Sequence, residues 1–122
     1  MMKLKPIILT ALVMILIDYL YLTINKNYYF GIIEQIQGSR VNIKIAGVVI
    51  CYIILVLGMN YFIISENKSI LSAFLLGIMV YSVFNSTTYA MFNKWNEKVA
   101  IMDTLWGGIL FATTTYIVRN FM

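Results

Sequence analysis

The sequence contains no histidine and only one cysteine, Cys51. A single cysteine cannot form a disulfide within the chain, and we interpret Cys51 as a small packing residue. The absence of histidine excludes catalysis by a Ser-His-Asp or Cys-His pair. It also leaves a zinc site, or a haem held by histidine, almost without ligands. We therefore predict that the protein holds no metal and no cofactor.

Charged residues are also scarce, since they form 11% of the chain while hydrophobic residues form 61%. A soluble domain is nearer a quarter charged. The net charge of +4 is spread over short loops and chain ends, where it suits anionic lipid headgroups. It does not form the basic face of a nucleic-acid binder. We expect the lipid bilayer as a partner and no nucleic acid.

What the sequence does contain is long apolar runs. Four of them approach the roughly 20 residues that span a bilayer, and they cover residues 6–24, 43–64, 70–92 and 99–118. They predict an all-α, polytopic membrane protein, in which residues 1–122 form one compact bundle of four transmembrane helices. The later links are short, so consecutive helices should be antiparallel. Asn96 is suited to cap the fourth helix.

The loop after the first span, "NKNYYFGIIEQIQGSRVN", has a helical pattern of its own. Its apolar side chains fall on one helical stripe, formed by Tyr29, Ile32, Ile33 and Ile36. Gly38 is suited to end this helix. We predict a short amphipathic helix lying in the membrane interface, with a partly ordered loop anchored by aromatic residues as the alternative. Trp95, Tyr28 and Tyr29 suit an aromatic belt at headgroup level.

The orientation in the membrane depends on the basic residues that flank the spans. Their numbers on the two faces are nearly equal, so the positive-inside rule separates the faces only weakly. Lys3 and Lys5 precede the first span. On that basis we predict a multi-pass protein with cytoplasmic termini. Which membrane it occupies is left open.

Polar residues in three of the spans fall at one depth. Asp18 lies about six residues before the end of the first span, Asn85 about seven before the end of the third, and Asp103 about four after the start of the fourth. At 1.5 Å per residue, all three lie roughly 6 to 10 Å below the same membrane surface. We expect them to converge there. The candidate binding residues, all in or next to this cluster, are Asp18, Asn85, Thr87, Thr88, Asp103 and Trp106.

Two aspartates within membrane spans restrict the functions to consider. A carboxylate that faces lipid is costly, so Asp18 and Asp103 should face inward. Basic residues lie only at the ends of the spans, which leaves hydroxyls, amides, an indole N–H, water or a ligand as partners. Desolvation disfavours the charged form of a carboxyl group, so one or both aspartates can be protonated. The functional interpretation is a site for a proton, a cation, an amine or a lipid headgroup. Alternatively, these groups lock the bundle through hydrogen bonds, and Asp103 complements the helix dipole.

Small residues on the fourth span offer a surface for close helix approach. Thr104, Gly108 and Ala112 lie on successive turns. Such stripes let another backbone approach closely. They predict either a homo-oligomer through a second copy or a contact with a neighbouring helix of the same chain.

The stretch "NSTTYAMFNKW" followed by "VAIMDTLWGGIL" resembles the signature of the domain of unknown function 2177 family of small membrane proteins. Members of that family have an Asp in the first span, an Asp-Leu-Thr-Asn-x-Ala-like run with a following Trp, and a terminal Asp-x-x-Trp-Gly. The matching positions are Asp18, Thr87, Ala90, Trp95, Asp103, Trp106 and Gly107. Asn85 replaces the Asp of the run and Thr88 its Asn. The resemblance implies four helices over the whole chain and implies no activity.

Three classes of function remain. The first is an integral membrane protein that binds or passes a proton, cation, amine or lipid headgroup at the acidic cluster. The second is a structural or assembly component of a cellular or viral membrane. The third is a lipid-modifying enzyme or its accessory subunit, because two carboxyls can serve acid–base chemistry. No nucleophile or metal set accompanies them, so we expect a protein that is not an enzyme.

Overall fold

The computed structural model describes residues 2–122 and consists of four long helices. They are α1 (Leu4–Gln37), α2 (Ile45–Met59), α3 (Ile70–Met91) and α4 (Glu97–Phe121). A π-helical turn, Asn60–Ile64, continues α2 without a break. All four are long and apolar enough to cross a membrane when α2 is taken together with this turn. The predicted all-α fold of four membrane-length helices is confirmed.

The predicted interfacial helix after the first span is wrong. α1 does not end near Ile24 but runs on to Gln37, where Gly38 adopts a left-handed conformation with φ of 75° and donates its N–H to Glu34. The stripe that suggested a separate helix is instead packed within the protein. Tyr29 and Ile32 are buried there. An apolar helical stripe has the same period whether it faces a membrane surface or a neighbouring helix. The sequence pattern therefore could not distinguish an interfacial helix from a buried one.

The segment after α1 folds back along the helix. The side-chain amide of Gln37 donates to the backbone carbonyls of Ser39 and Arg40, and the Glu34 carboxylate accepts from the N–H of Val41. These bonds attach residues 39–41 to the last turns of α1. The shorter helix α2 then begins at Ile45, which lines one groove with Leu22 and Lys26 of α1.

Side-chain caps define the starts of the last two helices. The Ser69 hydroxyl accepts the N–H of Ser72 at the start of α3, and the Asn96 side chain accepts the N–H of Val99 at the start of α4. Each bond satisfies a backbone donor that has no partner within its helix. The predicted cap at Asn96 is confirmed.

α4 is the central helix, since it packs extensively against α3 and also against α1, while α2 packs mainly on α1. Glycines permit the close α3–α4 contact. A Cβ atom on Gly77 would collide with the backbone of Gly107, and one on Gly108 would lie 2.8 Å from side-chain atoms of Phe74 and Ile78. The small residue at 108 therefore seats a helix of its own chain, the second of the two predicted alternatives.

The core is small and the surface is apolar. Buried residues such as Met14, Met59, Leu110 and Phe111 form the main core where the helices meet. Large apolar side chains are exposed on every helix. Such a surface is unfavourable in water and suits lipid.

Candidate functional site

Asp18 lies on the inner face of α1 and accepts two hydrogen bonds from aromatic side chains. The Trp106 indole N–H of α4 donates to its Oδ1 atom at 2.8 Å, and the Tyr52 hydroxyl of α2 donates to its Oδ2 atom. Only 6% of Asp18 is exposed. This carboxyl thus joins three helices.

Asp103 lies three residues before Trp106, on the same face of α4. Its Oδ2 atom accepts from the Asn85 amide of α3 at 2.7 Å, and its Oδ1 atom accepts from the Tyr29 hydroxyl of α1 at 3.2 Å. Asp103 is partly exposed, whereas Asn85 is 1% exposed. The second carboxyl therefore joins α1, α3 and α4.

Asn85 is held from three directions. Its amide nitrogen donates to Asp103 and also to the backbone carbonyl of Tyr81 at 2.9 Å, and its carbonyl oxygen accepts the Trp95 indole N–H at 3.1 Å. With both ends of the amide engaged, these bonds set its orientation, and its N–H₂ group faces Asp103.

Tyr21 connects the two carboxyls. Its ring stacks on the Trp106 indole, with centroids 4.1 Å apart and planes 5° apart. Its hydroxyl lies 2.7 Å from the Tyr29 hydroxyl, and either oxygen can donate. The residues linked in this way are defined here as the polar network, and they are Asp18, Tyr21, Tyr29, Tyr52, Asn85, Trp95, Asp103 and Trp106.

The two carboxyls have the same kind of surroundings. Each accepts one bond from a nitrogen that only donates, the Trp106 indole or the Asn85 amide, and one from a tyrosine hydroxyl. A hydroxyl can donate or accept, whereas an indole N–H only donates. One oxygen of each carboxyl therefore always accepts a hydrogen bond from nitrogen. The other oxygen faces a tyrosine hydroxyl, whose proton can rotate so that the hydroxyl accepts.

The hydrogen-bond partners of both carboxyls within residues 2–122 are all uncharged: an indole, an amide and two phenols. No group of three His, Cys, Asp or Glu side chains in this part of the chain could hold a metal ion. A buried negative charge without a cationic partner is costly. The arrangement is therefore suited to taking up positive charge, of which a proton needs the least space.

The predicted site residues divide into two groups. Asp18, Asn85, Asp103 and Trp106 all belong to the polar network. Thr87 and Thr88 do not reach it, because their hydroxyls bond to backbone carbonyls one turn back in α3. Thr87 bonds to Val83 and Phe84, and Thr88 bonds to Phe84. Such bonds satisfy a hydroxyl within its own helix.

Sequence reasoning missed four members of the network as site residues. Tyr29 and Trp95 were interpreted as interfacial aromatics, although Trp95 is 4% exposed and bonds to Asn85. Tyr21 and Tyr52 were not among the candidate site residues. The one sequence feature that could have indicated Tyr52 is its hydroxyl in the middle of the apolar helix α2.

Comparison with known proteins identifies the family. The model of the family described as "Predicted membrane protein (DUF2177)" matches residues 3–119, which is nearly the whole chain. The chain therefore belongs to this family, and the resemblance drawn from its aspartate and tryptophan signature is confirmed. No curated protein and no solved structure matches the chain.

Proposed function

With membership of this membrane protein family as the premise, we propose that the protein binds and releases protons at Asp18 and Asp103. The observation that carries this proposal is the pairing of each carboxyl, buried at Asp18 and partly exposed at Asp103, with one fixed nitrogen donor and one tyrosine hydroxyl. When the carboxyl takes up a proton, the hydroxyl rotates from donor to acceptor. The hydrogen bond persists in both states, and no heavy atom needs to move far.

Tyr29 links Asp103 to a second hydroxyl on α1, that of Tyr21. Their hydroxyls can exchange roles, because either one can donate to the other. When the Tyr29 hydroxyl changes from donor to acceptor toward Asp103, the direction of its hydrogen bond with Tyr21 can change as well. Proton binding at Asp103 is in this way coupled to the ring that stacks on Trp106, the donor to Asp18.

A structural role is the second candidate, and a specific observation favours it. The network joins all four helices, and each of its carboxyl oxygens already has a donor. Hydrogen bonds between membrane helices contribute about 0.6 to 2 kcal/mol each. A bundle locked in this way would suit an assembly component of a membrane with no small-molecule activity.

We also propose that the four helices cross the bilayer as one domain, with both termini on the cytoplasmic side. Lys3 and Lys5 at the start of α1 support this orientation. Protease or thiol-labelling access to the two termini in right-side-out vesicles would test it.

Infrared difference spectroscopy tests proton binding. The protein in lipid nanodiscs is compared at alkaline and acidic pH, and the carbonyl stretch of protonated carboxyl groups is recorded. We expect bands from two membrane carboxyls, one lost in Asp18→Asn and one lost in Asp103→Asn. Glu66→Gln is the matched control, since Glu66 is exposed in the turn between α2 and α3. If the bands gained on acidification are unchanged in Asp18→Asn and Asp103→Asn and are reduced only in Glu66→Gln, the proposal is refuted.

A further inference from the structure

A lateral groove between α1 and α2 opens toward the lipid. It encloses about 530 Å³ and follows α1 from Phe30 to Ile15. At 1.5 Å per residue this is about 22 Å, or four helical turns. Its walls are mostly apolar, with Leu22, Phe30 and Val48 among them. A groove with this length and lining fits a hydrocarbon chain lying parallel to the helices.

The charge at the mouth of the groove is positive. Lys26 lines it and is exposed, with its ammonium 5.6 Å from the centre of the Phe30 ring. Lys44 lies between two lining residues, Ile43 and Ile45, where α2 begins. Both lysines lie at the same end of the groove, where the apolar segment of α1 ends and that of α2 begins. This is the level at which lipid phosphates occur.

We propose that this groove is a binding site for an anionic membrane lipid, with an acyl chain between α1 and α2 and the phosphate at Lys26. Charge complementarity at the mouth selects an anionic headgroup over a zwitterionic one. A second copy of this chain fits less well, because its own lysines at the same level would repel those at the mouth. The groove shares Tyr29 and Tyr52 with the polar network, but neither Asp18 nor Asp103 lines it.

The lipid would cover the outer side of these two tyrosines. Their hydroxyls point to Asp103 and Asp18, and their rings form part of the groove wall. An occupied groove would therefore keep water from reaching the carboxyls laterally. This consequence does not depend on whether the carboxyls bind protons.

The experiment counts bound lipids by native mass spectrometry. Wild-type protein in detergent is titrated with phosphatidylglycerol or with phosphatidylcholine. We expect tighter binding of phosphatidylglycerol. Lys26→Gln should weaken that binding about fivefold, since a lysine near an anionic surface contributes about 1 kcal/mol. Lys68→Gln, an exposed lysine at the opposite end of the bundle, should leave it unchanged.

A second variant tests the acyl-chain part of the groove without changing charge. Val48→Phe adds bulk inside the groove and should weaken the binding of phosphatidylglycerol, whereas Val80→Phe on the exposed surface of α3 should not. Equal binding of the two lipids, or wild-type binding by Lys26→Gln, would overturn the proposal. Protein dimers that dissociate on Val48→Phe, with no selective lipid binding, would identify a second copy as the occupant and would also overturn it.

Discussion

Tyr52 supplies the only hydrogen bond that α2 makes to the polar network. Its hydroxyl donates to Asp18, next to the bond from Trp106. Replacing Tyr52 with Phe keeps the ring and leaves one buried carboxyl oxygen without a donor. The loss should be about 1–3 kcal/mol of unfolding free energy.

Thermal unfolding in detergent would measure the effect of Tyr52→Phe. The matched control is Tyr116→Phe, because Tyr116 on α4 is 61% exposed. We expect no change in the control. Equal stability of the two variants would mean that the Tyr52 bond contributes nothing.

At the residue scale, the sequence predicted both carboxyls and their nitrogen donors, Asn85 and Trp106, and missed the tyrosine donors. Asp18 and Asp103 are conspicuous because a charge is rare in an apolar run. Tyr29 and Trp95 are common at membrane interfaces, so their types do not distinguish a lipid-facing ring from a buried donor. Only the packing of α1 against α4 and the 92–96 segment decides this. The hydroxyls of Thr87 and Thr88 bond to backbone carbonyls of α3 itself, which any Thr in a helix can do.

At the scale of the helices, close α3–α4 packing depends on residues with no side chain. A Cβ atom at Gly77 would overlap the backbone of Gly107, which cannot move aside as a flexible side chain can. Gly77→Ala should therefore destabilise the protein by about 1–3 kcal/mol through overpacking.

Gly58→Ala is the control for Gly77→Ala. Gly58 is also helical, but a Cβ atom there meets nothing within 4 Å. Alanine has a higher helix propensity than glycine, so this variant should be as stable as the wild type or more so. Comparison of the two melting temperatures checks the prediction. A Gly77→Ala protein as stable as Gly58→Ala would contradict the α3–α4 contact.

The length of α1 leads to a prediction about distance. Leu12 and Gln35 are both exposed and 23 residues apart in one helix. At 1.5 Å per residue they should be about 34 Å apart along the axis. Spin labels at these two positions, with Cys51 replaced by Ser, would give the distance by pulsed electron resonance. A helix that turned into the interface after Ile24 would shorten it to about 25 Å.

The four helices could be predicted from the sequence, because a long apolar run is enough to indicate each one. The extent of α1 beyond Ile24 could not be predicted in this way. Its residues 25–37 are less apolar than the preceding span, and composition alone suggested a change of environment there. In the structure they remain helical because Tyr29 and Ile32 pack against Trp95 and Val99. That partner surface lies about 65 residues away in the chain, beyond the reach of a local pattern.

At the scale of the whole molecule, the two candidate functions differ in what Asp103→Asn would do. An asparagine can still accept from Asn85 through its carbonyl oxygen and donate to the Tyr29 hydroxyl through its NH₂ group, but it does not take up a proton at neutral or acidic pH. If the network only locks the helices, the variant should keep the stability and the role of the wild type. If it handles protons, stability should change little while proton uptake falls.

Proteoliposomes that contain a pH-sensitive dye would measure this difference. We expect an imposed pH gradient to dissipate more slowly with Asp103→Asn than with wild-type protein, and Glu66→Gln to behave as wild type. A well-folded Asp103→Asn protein with unchanged proton movement would favour the structural role.

The central claim is that Asp18 and Asp103 bind protons within one connected network, and the fluorescence of Trp106 tests it most directly. Trp95→Phe leaves Trp106 as the only tryptophan; it removes the bond to the Asn85 carbonyl oxygen but no bond to either carboxyl. The Trp106 N–H bonds to Asp18. Since indole emission responds to nearby charge, the account predicts a pH-dependent shift that Asp18→Asn abolishes and Asp103→Asn moves to a different pH. Trp106 emission that stays constant with pH in the folded protein would contradict it.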